Sequence, residues 1–434
     1  MPIIEPFKGV IYNRDIIDNI MDVLAPPYDV ISEQEQQELY DKHRRNVIRL
    51  ILGKTESSDA ETNNRYTRAA TTLDEWLQDG ILTRLNKPTI YLYAQDFVLN
   101  GKTLRRTGFI CRVKIEEYGN SIFAHEKTLA GPKIDRLKLI RACEMNLSPV
   151  FGLYTDKDRM LDNLWKPVMR AKADFSTTDS AGVSHFMWFV DDKDIIGKVK
   201  GLLIDHPVVI ADGHHRYETA KNYRNERRKH GGSSNDNIEN YDYVMMFLAN
   251  TKDQGFTVLP THRLVKEANL DTDKILECLS VNFHVEEKTL TSNTLPTLLD
   301  ELASAGKSVV SFIFYAGGGK AFLLKLKKNP ERTGDPAEDA VKKLDVFILE
   351  EKIFVQAMEI SREAVTNKQA VGFTSEAKDA IAAVDSKTVK YAFLLNYTSV
   401  HSVMDVASKG GIMPQKSTYF YPKLITGLVF NPVN

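Results

Sequence analysis

The segment Val208-Val209-Ile210-Ala211-Asp212-Gly213-His214-His215-Arg216-Tyr217-Glu218-Thr219-Ala220 concentrates chemistry-bearing side chains at one turn. Its apolar start reads as a strand, and the pattern from about Tyr217 to Lys229 reads as a helix. Five functional positions therefore fall between strand and helix. Gly213 permits a sharp turn and a close approach of backbone to ligand. The amides that follow sit at a helix N-terminus, where free N–H groups and the dipole favour an anion. Arg216 can grip a phosphate or carboxylate through two parallel hydrogen bonds. Asp212 can accept a proton or hold a metal, while His214 and His215 can move protons or steady developing charge. A helix cap with surface histidines is the plainer explanation. It would suit one such residue alone; five together favour a site. The two histidines are adjacent, so they point in different directions and need not share a metal.

Four further segments carry charge or hydroxyls. His125-Glu126-Lys127-Thr128 precedes Gly131-Pro132-Lys133-Ile134-Asp135-Arg136-Leu137. On a helix starting near Lys133, the cations Lys133, Arg136 and Lys138 oppose the helix dipole, which makes sense beside an anionic ligand and equally on a solvated face. His125-Glu126 does not continue as HExxH, so a zincin reading fails. Thr261-His262-Arg263 follows Pro260. Gly410-Gly411-Ile412-Met413-Pro414-Gln415-Lys416-Ser417-Thr418 offers glycines, a lysine and hydroxyls to a phosphate, without the spacing of a Walker A loop. Near the N-terminus, Tyr28-Asp29 and Asn46 with Arg49 are candidates whose simpler readings are a turn and a surface strand. No GxGxxG follows the first strand, and no GxSxG elbow exists.

The elements that must position these residues can be read from period and punctuation. Pro26-Pro27 excludes a helix interior. Ser32 with Glu35 forms a capping box for the helix after it. Asn46–Leu52 is expected as a strand and 60–79 as a helix. From Thr89 the period changes to two: Tyr91-Leu92-Tyr93 and Phe97-Val98-Leu99 are expected to flank a turn around Asp96, and Asn100-Gly101 signals a hairpin. A charged helix at 133–146, a strand at Ser148–Tyr154, a helix at 156–172, a loop at His230–Asn240 and a buried strand at Tyr243–Ala249 follow. Gly317-Gly318-Gly319 reads as a hairpin turn. The expected organisation is a core over 1–265 with a β-rich insertion at about 89–200, a small α/β unit at 266–340, and C-terminal helices and a strand over 341–434 returning to the active site.

The chain has 434 residues, 57 Lys+Arg against 58 Asp+Glu, and 43% hydrophobic residues. This is an ordinary globular mixture, long enough for two or three domains. A net charge of −1 excludes a generally basic nucleic-acid coat. Three scattered cysteines suggest a reducing compartment, and the start of the chain does not read as a signal peptide. No apolar run has the length needed to span a bilayer. A cytoplasmic protein is expected, with no membrane or nucleic-acid partner.

Asp-Gly-His-His-Arg between a strand and a helix resembles the signature box of the ParB/sulfiredoxin-like superfamily, in particular its free serine kinase branch. The whole chain more closely resembles a bacterial and archaeal family labelled domain of unknown function ten-fifteen. The matching pieces are Pro27–Ile31, Asn46–Leu50, His125–Thr128, Gly131–Arg136, Asn146–Pro149, Ala211–Ala220, Leu259–Arg263 and Pro414–Phe430. The resemblance implies an α/β (α+β) fold with a ParB/sulfiredoxin-like mixed core. It also implies phosphoryl transfer between a nucleotide, ATP or ADP, and the hydroxyl of serine, with Mg²⁺. The same site run backwards would dephosphorylate O-phosphoserine. On this resemblance Asp212, His214, His215, Arg216 and Glu126 are catalytic candidates, Glu126 standing for the kinases' upstream glutamate. Gly213, Lys133, Arg136, His262, Arg263, Lys416 and Ser417 are candidates for nucleotide or phosphate. Tyr28, Asp29, Asn46, Arg49 and His125 are candidates for substrate. The chain is longer than the small kinases, and metal ligands are not assigned. The alternatives are a nucleotide-gated ParB-like binding protein and a metal-dependent hydrolase using the histidines.

Overall fold

Tyr243–Asn250 is buried at all eight positions, as an uninterrupted apolar run covered on both faces must be. It lies centrally in a mixed sheet of nine strands among the described residues, and pairs parallel with Val150–Tyr154 and antiparallel with Lys102–Lys114. The computed structural model describes residues 1–128, 130–230, 238–366 and 369–434. The loop expected over His230–Asn240 falls mostly at 231–237, outside the described residues. The chain divides into two units. The first comprises Met1–Ala124, Thr128–Phe256 and Pro422–Asn434, and the second His125–Lys127 and Thr257–Tyr421.

In the first unit the sheet runs Ile122–Phe123, Val208–Asp212, Val150–Tyr154, Tyr243–Asn250, Lys102–Lys114, Ile90–Leu99, Ser184–Val190, Phe175–Thr178, with Ile4–Glu5 also on Lys102–Lys114. Strands from 89–200 thus share one sheet with Val208–Asp212 and do not form a separate insertion. Ile90–Leu99 is continuous through Asp96, where a turn was expected. The reversal comes at Asn100-Gly101, both at positive φ (51° and 74°), as a tight hairpin requires. Ser32 and Glu35 do form the capping box of helix Glu33–Lys42.

Asn46–Leu52, expected as a strand, contains a helical turn at Ile48–Ile51. The buried Asn46 starts it: its Oδ1 accepts from Ile48 N (2.9 Å) while Nδ2 donates to Asp22 O (2.7 Å) and Leu24 O (2.9 Å). An Asx-type bond of this kind overrides the β propensity of an isoleucine-rich segment.

The second unit is built on an antiparallel sheet ordered Phe283–Thr289, Lys320–Leu326, Ser311–Gly317, Tyr391–Leu395, His262–Val265, Val371–Thr374. Strands expected in a separate 266–340 unit therefore share hydrogen bonds with Tyr391–Leu395 and His262–Val265. The three-part organisation gives way to one sheet because Phe312–Tyr315 is a buried central strand that needs a neighbour on both edges. Gly317, Gly318 and Gly319 make the expected hairpin turn, all at positive φ. The fold class is mixed α/β, as expected. Among the described residues, no helix is long and apolar enough to cross a membrane.

Candidate anion-binding site

Strand Val208–Asp212 delivers Asp212 to its end, and Gly213 at φ 89° turns the chain into helix His214–His230. Tyr217, fully buried, pins the first turn of that helix. Its Oη donates to Glu116 O (2.9 Å) and accepts from Glu116 N (3.0 Å). The Oδ1 of Asp212 accepts from Gly213 N (2.9 Å), and its Oδ2 lies 3.4 Å from Lys423 Nζ and 3.6 Å from Arg216 Nη2. Lys423 is brought there by a held backbone: Gln95 Nε2 donates to Lys423 O (3.0 Å) and the fully buried Arg106 donates to Pro422 O (2.5 Å).

Arg216 folds back beneath Gly213 and donates through Nη1 to Pro149 O. Opposite it, the Arg136 guanidinium stacks 4.0 Å from the Tyr28 ring centre and donates to Ile51 O (2.7 Å) and Asp135 (2.6 Å). Tyr28, Arg136, Arg216 and Thr219, with Asn146 and Ser148, line a cavity of about 50 Å³. Thr219 is 3% exposed, and among the described residues its hydroxyl finds no hydrogen-bond partner. A buried, unsatisfied hydroxyl costs about 1–3 kcal/mol, so a ligand or water that reaches it is favoured. Burial pushes the Tyr28 phenol up, against the pull of Arg136 and Arg216, so it keeps its proton at neutral pH and can donate. The cavity thus offers two guanidiniums and two hydroxyls.

On the same helix as Arg216, Glu218 accepts from Lys133 Nζ (3.0 Å) and Thr128 Oγ1 (2.7 Å). Burial pushes His215 down, with Lys133 and Arg216 reinforcing and Glu218 and Asp29 opposing, so the imidazole is mostly neutral at pH 7. Asp29 itself is exposed. His214 is buried. Among the described residues no group of three His, Cys, Asp or Glu is placed to hold a metal.

The structure therefore gathers Tyr28, Asp29, Lys133, Arg136, Asp212, Gly213, His215 and Arg216 in the first unit. Asn46 and Arg49, expected to bind substrate, are committed to backbone. Arg49 donates to Arg44 O (2.8 Å) and Tyr40 O (3.0 Å) and stacks on Tyr40, because it sits on a helical turn and not on a strand facing a ligand. His125, Glu126, His262, Arg263, Lys416 and Ser417 belong to the second unit. His125 is buried, and its carbonyl accepts from Met413 N (2.8 Å). Glu126 forms a β-bridge with Met413. His262 accepts from Leu395 N (3.1 Å), and burial followed by Arg263 brings it down to about 4, so at neutral pH it offers a phosphate no charge. Ser417 Oγ is bonded to Pro414 O (2.6 Å), and the Lys416 carbonyl accepts from Thr261 Oγ1 (2.8 Å). The cations named on helix Ala130–Cys143 have protein partners: Lys133 pairs with Glu218 and Arg136 with Asp135, and Lys138 Nζ lies 5.8 Å from the Tyr66 ring centre. Lys423, Glu218, Thr128 and Thr219 escaped the reading of the sequence. Glu218 and Thr219 stand inside the box already quoted, Thr128 inside His125–Thr128 and Lys423 inside the matching piece Pro414–Phe430, where nothing singled them out.

Gly213→Ala is expected to cost about 1–3 kcal/mol, from the positive φ alone. The added Cβ would also stand 2.9 Å from Arg216 Nε and push the guanidinium off the cavity. Denaturant unfolding and pyrophosphate titration of the same preparation check it: unchanged values in both would show the turn to be unconstrained.

The family described as "Protein of unknown function (DUF1015)" matches residues 4–347. No curated protein matches the chain. Among solved structures it is similar to a conserved hypothetical protein from Pyrococcus furiosus, at 15% identity and a TM-score of 0.34, covering 72% of this chain and 94% of that one. It is also similar to a free serine kinase mutant in complex with ADP, at 12% identity and a TM-score of 0.35, covering 72% and 87%. For SbnI with C-terminal truncation from Staphylococcus aureus the values are 11%, 0.32, 73% and 84%.

Proposed function

The chain belongs to the DUF1015 family of proteins of unknown function, and for this member we propose a phosphotransferase that moves a phosphoryl group between a nucleotide and the hydroxyl of serine. The observation that carries the reading is the cavity in which Arg136, Arg216, the Tyr28 hydroxyl and the orphan Thr219 hydroxyl converge. Phosphoryl transfer needs positioned positive charge and donors more than covalent chemistry by the protein. At about 10–15 Å³ per water, roughly four waters fit, so the space suits a phosphate-sized group and leaves a nucleoside outside it. The Asp-Gly-His-His-Arg box supports the choice of serine through its resemblance to the free serine kinase branch.

In this reading the serine Oγ attacks the terminal phosphorus of ATP. The Oγ–P bond forms as the bond to the ADP oxygen breaks, and the hydroxyl proton passes to Asp212 or the neutral His215. Arg216, Arg136 and Tyr28 hold the charge that builds on the phosphoryl oxygens. Mg²⁺ is commonly held by one or two carboxylates together with phosphates and waters. Asp212 and Asp29 are the carboxylates that would take that place, and the ion would supply charge neutralisation on the nucleotide.

The test is to incubate the full chain with serine or O-phosphoserine, a panel of nucleotides and Mg²⁺, and follow phosphorus by NMR. A phosphoserine resonance that grows or disappears only with nucleotide is the expected result. Nucleotide binding without movement of phosphate would replace the enzyme by a nucleotide-gated binding protein.

A further inference from the structure

The second unit holds a cavity of its own, about 260 Å³ in volume. Four charged residues line it, Arg263 and Lys127 against Glu350 and Glu351, within apolar walls that include Val346, Phe347 and Phe354. Arg263 is 4% exposed. It donates to the carbonyls of Thr261 and Lys416 and stacks 4.6 Å from the Phe373 ring centre. Among the described residues no carboxylate lies within 4 Å of it. A buried cation without a carboxylate is costly, and an incoming anion relieves that cost.

Glu350 is half-buried and, among the described residues, makes no hydrogen bond or ion pair. Burial, then Glu351, push its carboxyl up, and Arg263 and Arg362 act against them. The adjacent Glu351 differs in being paired with Arg362 (2.6 Å). Glu350 and Phe354 reach the same cavity, four residues apart on the π-helical turn Leu349–Val355, a winding frequent at functional sites. An arginine and a glutamate share one small apolar space without bonding each other, so each is left to a ligand that carries both charges.

We propose that this cavity binds a free α-amino acid with an apolar side chain, its carboxylate on Arg263, its ammonium on Glu350 and its side chain against Phe347 and Phe354. The volume suits a molecule of leucine or phenylalanine size and is small for a nucleotide. This site is independent of the phosphotransferase reading, and its test reads binding alone.

The experiment is calorimetric titration of the full chain at pH 7.5 with L-leucine, L-phenylalanine, N-acetyl-L-leucine and isopentylamine. Saturable binding of an apolar amino acid is expected, with the analogues lacking ammonium or carboxylate weaker by about tenfold or more, the worth of one charge-assisted bond. Glu350→Gln keeps the shape and is expected to weaken L-leucine by about tenfold while leaving N-acetyl-L-leucine unchanged. Because Arg263 variants risk misfolding, the analogue series on the natural chain carries the test for that side. The proposal is overturned if no apolar amino acid saturates. It is equally overturned if N-acetyl-L-leucine or isopentylamine binds as tightly as L-leucine, or if Glu350→Gln changes nothing.

Discussion

Arg216→Lys is expected to lower kcat/KM for phosphoryl transfer by about 10²–10³-fold, the usual loss when one preorganised donor to a developing charge is removed. Lysine keeps the positive charge, so the loss is geometric. Arg216 spans three duties: Nη1 holds Pro149 O, Nη2 faces Asp212 at 3.6 Å, and the guanidinium walls the cavity beneath Gly213. A single ammonium on a flexible stem cannot do all three. Pyrophosphate affinity, measured on the same variant, should fall with activity. The unfolding midpoint is expected to move much less than the activity. An active variant with undiminished pyrophosphate binding would show that the transferred group lies elsewhere.

Acidification is expected to destabilise the second unit through His262. Its unfolded value is about 6.5, and the folded value is about 4. Above pH 6.5 both states are neutral and the histidine costs nothing. Between 6.5 and 4 the unfolded chain binds a proton that the folded unit refuses, so stability falls with pH. The loss is complete below 4 and amounts to about 3 kcal/mol. The cause is burial within the sheet beside Arg263, with the ring accepting from Leu395 N. His262→Asn can keep that acceptor and removes the titration. Asp345, pushed up to about 6 by burial, acts in the opposite sense in both proteins and cancels from their difference. Denaturant unfolding of both proteins at pH 7 and pH 4 measures it. Equal losses in the two would remove His262 as the origin.

These two residues also mark how far the sequence could be read. Arg216 was legible because its neighbours are local: a strand, a glycine and a helix start within nine residues define where its side chain begins. His262 was not. As a histidine beside an arginine it suggested phosphate, yet a strand position between two hydrogen-bonded neighbours buries it and takes its charge away. Arg49 failed for a related reason: one side-chain bond from Asn46 changed strand into helix and turned its guanidinium to backbone.

The sequence by itself determined the turns at Asn100-Gly101 and Gly317–Gly319, the capping box, the apolar central strands and the strand-to-helix turn at Asp212–Arg216. Backbone sterics and side-chain periodicity act over a few residues, and a single chain displays them directly. Only the tertiary structure decided that Lys423 meets Asp212 across a separation of 211 residues. It alone left the Thr219 hydroxyl orphaned in a cavity, divided the candidate cations between two units, and set Arg263 and Glu350 unbonded in one pocket. Ion pairs and cavities depend on which surfaces the packed sheets bring face to face, and no local rule of spacing carries that information.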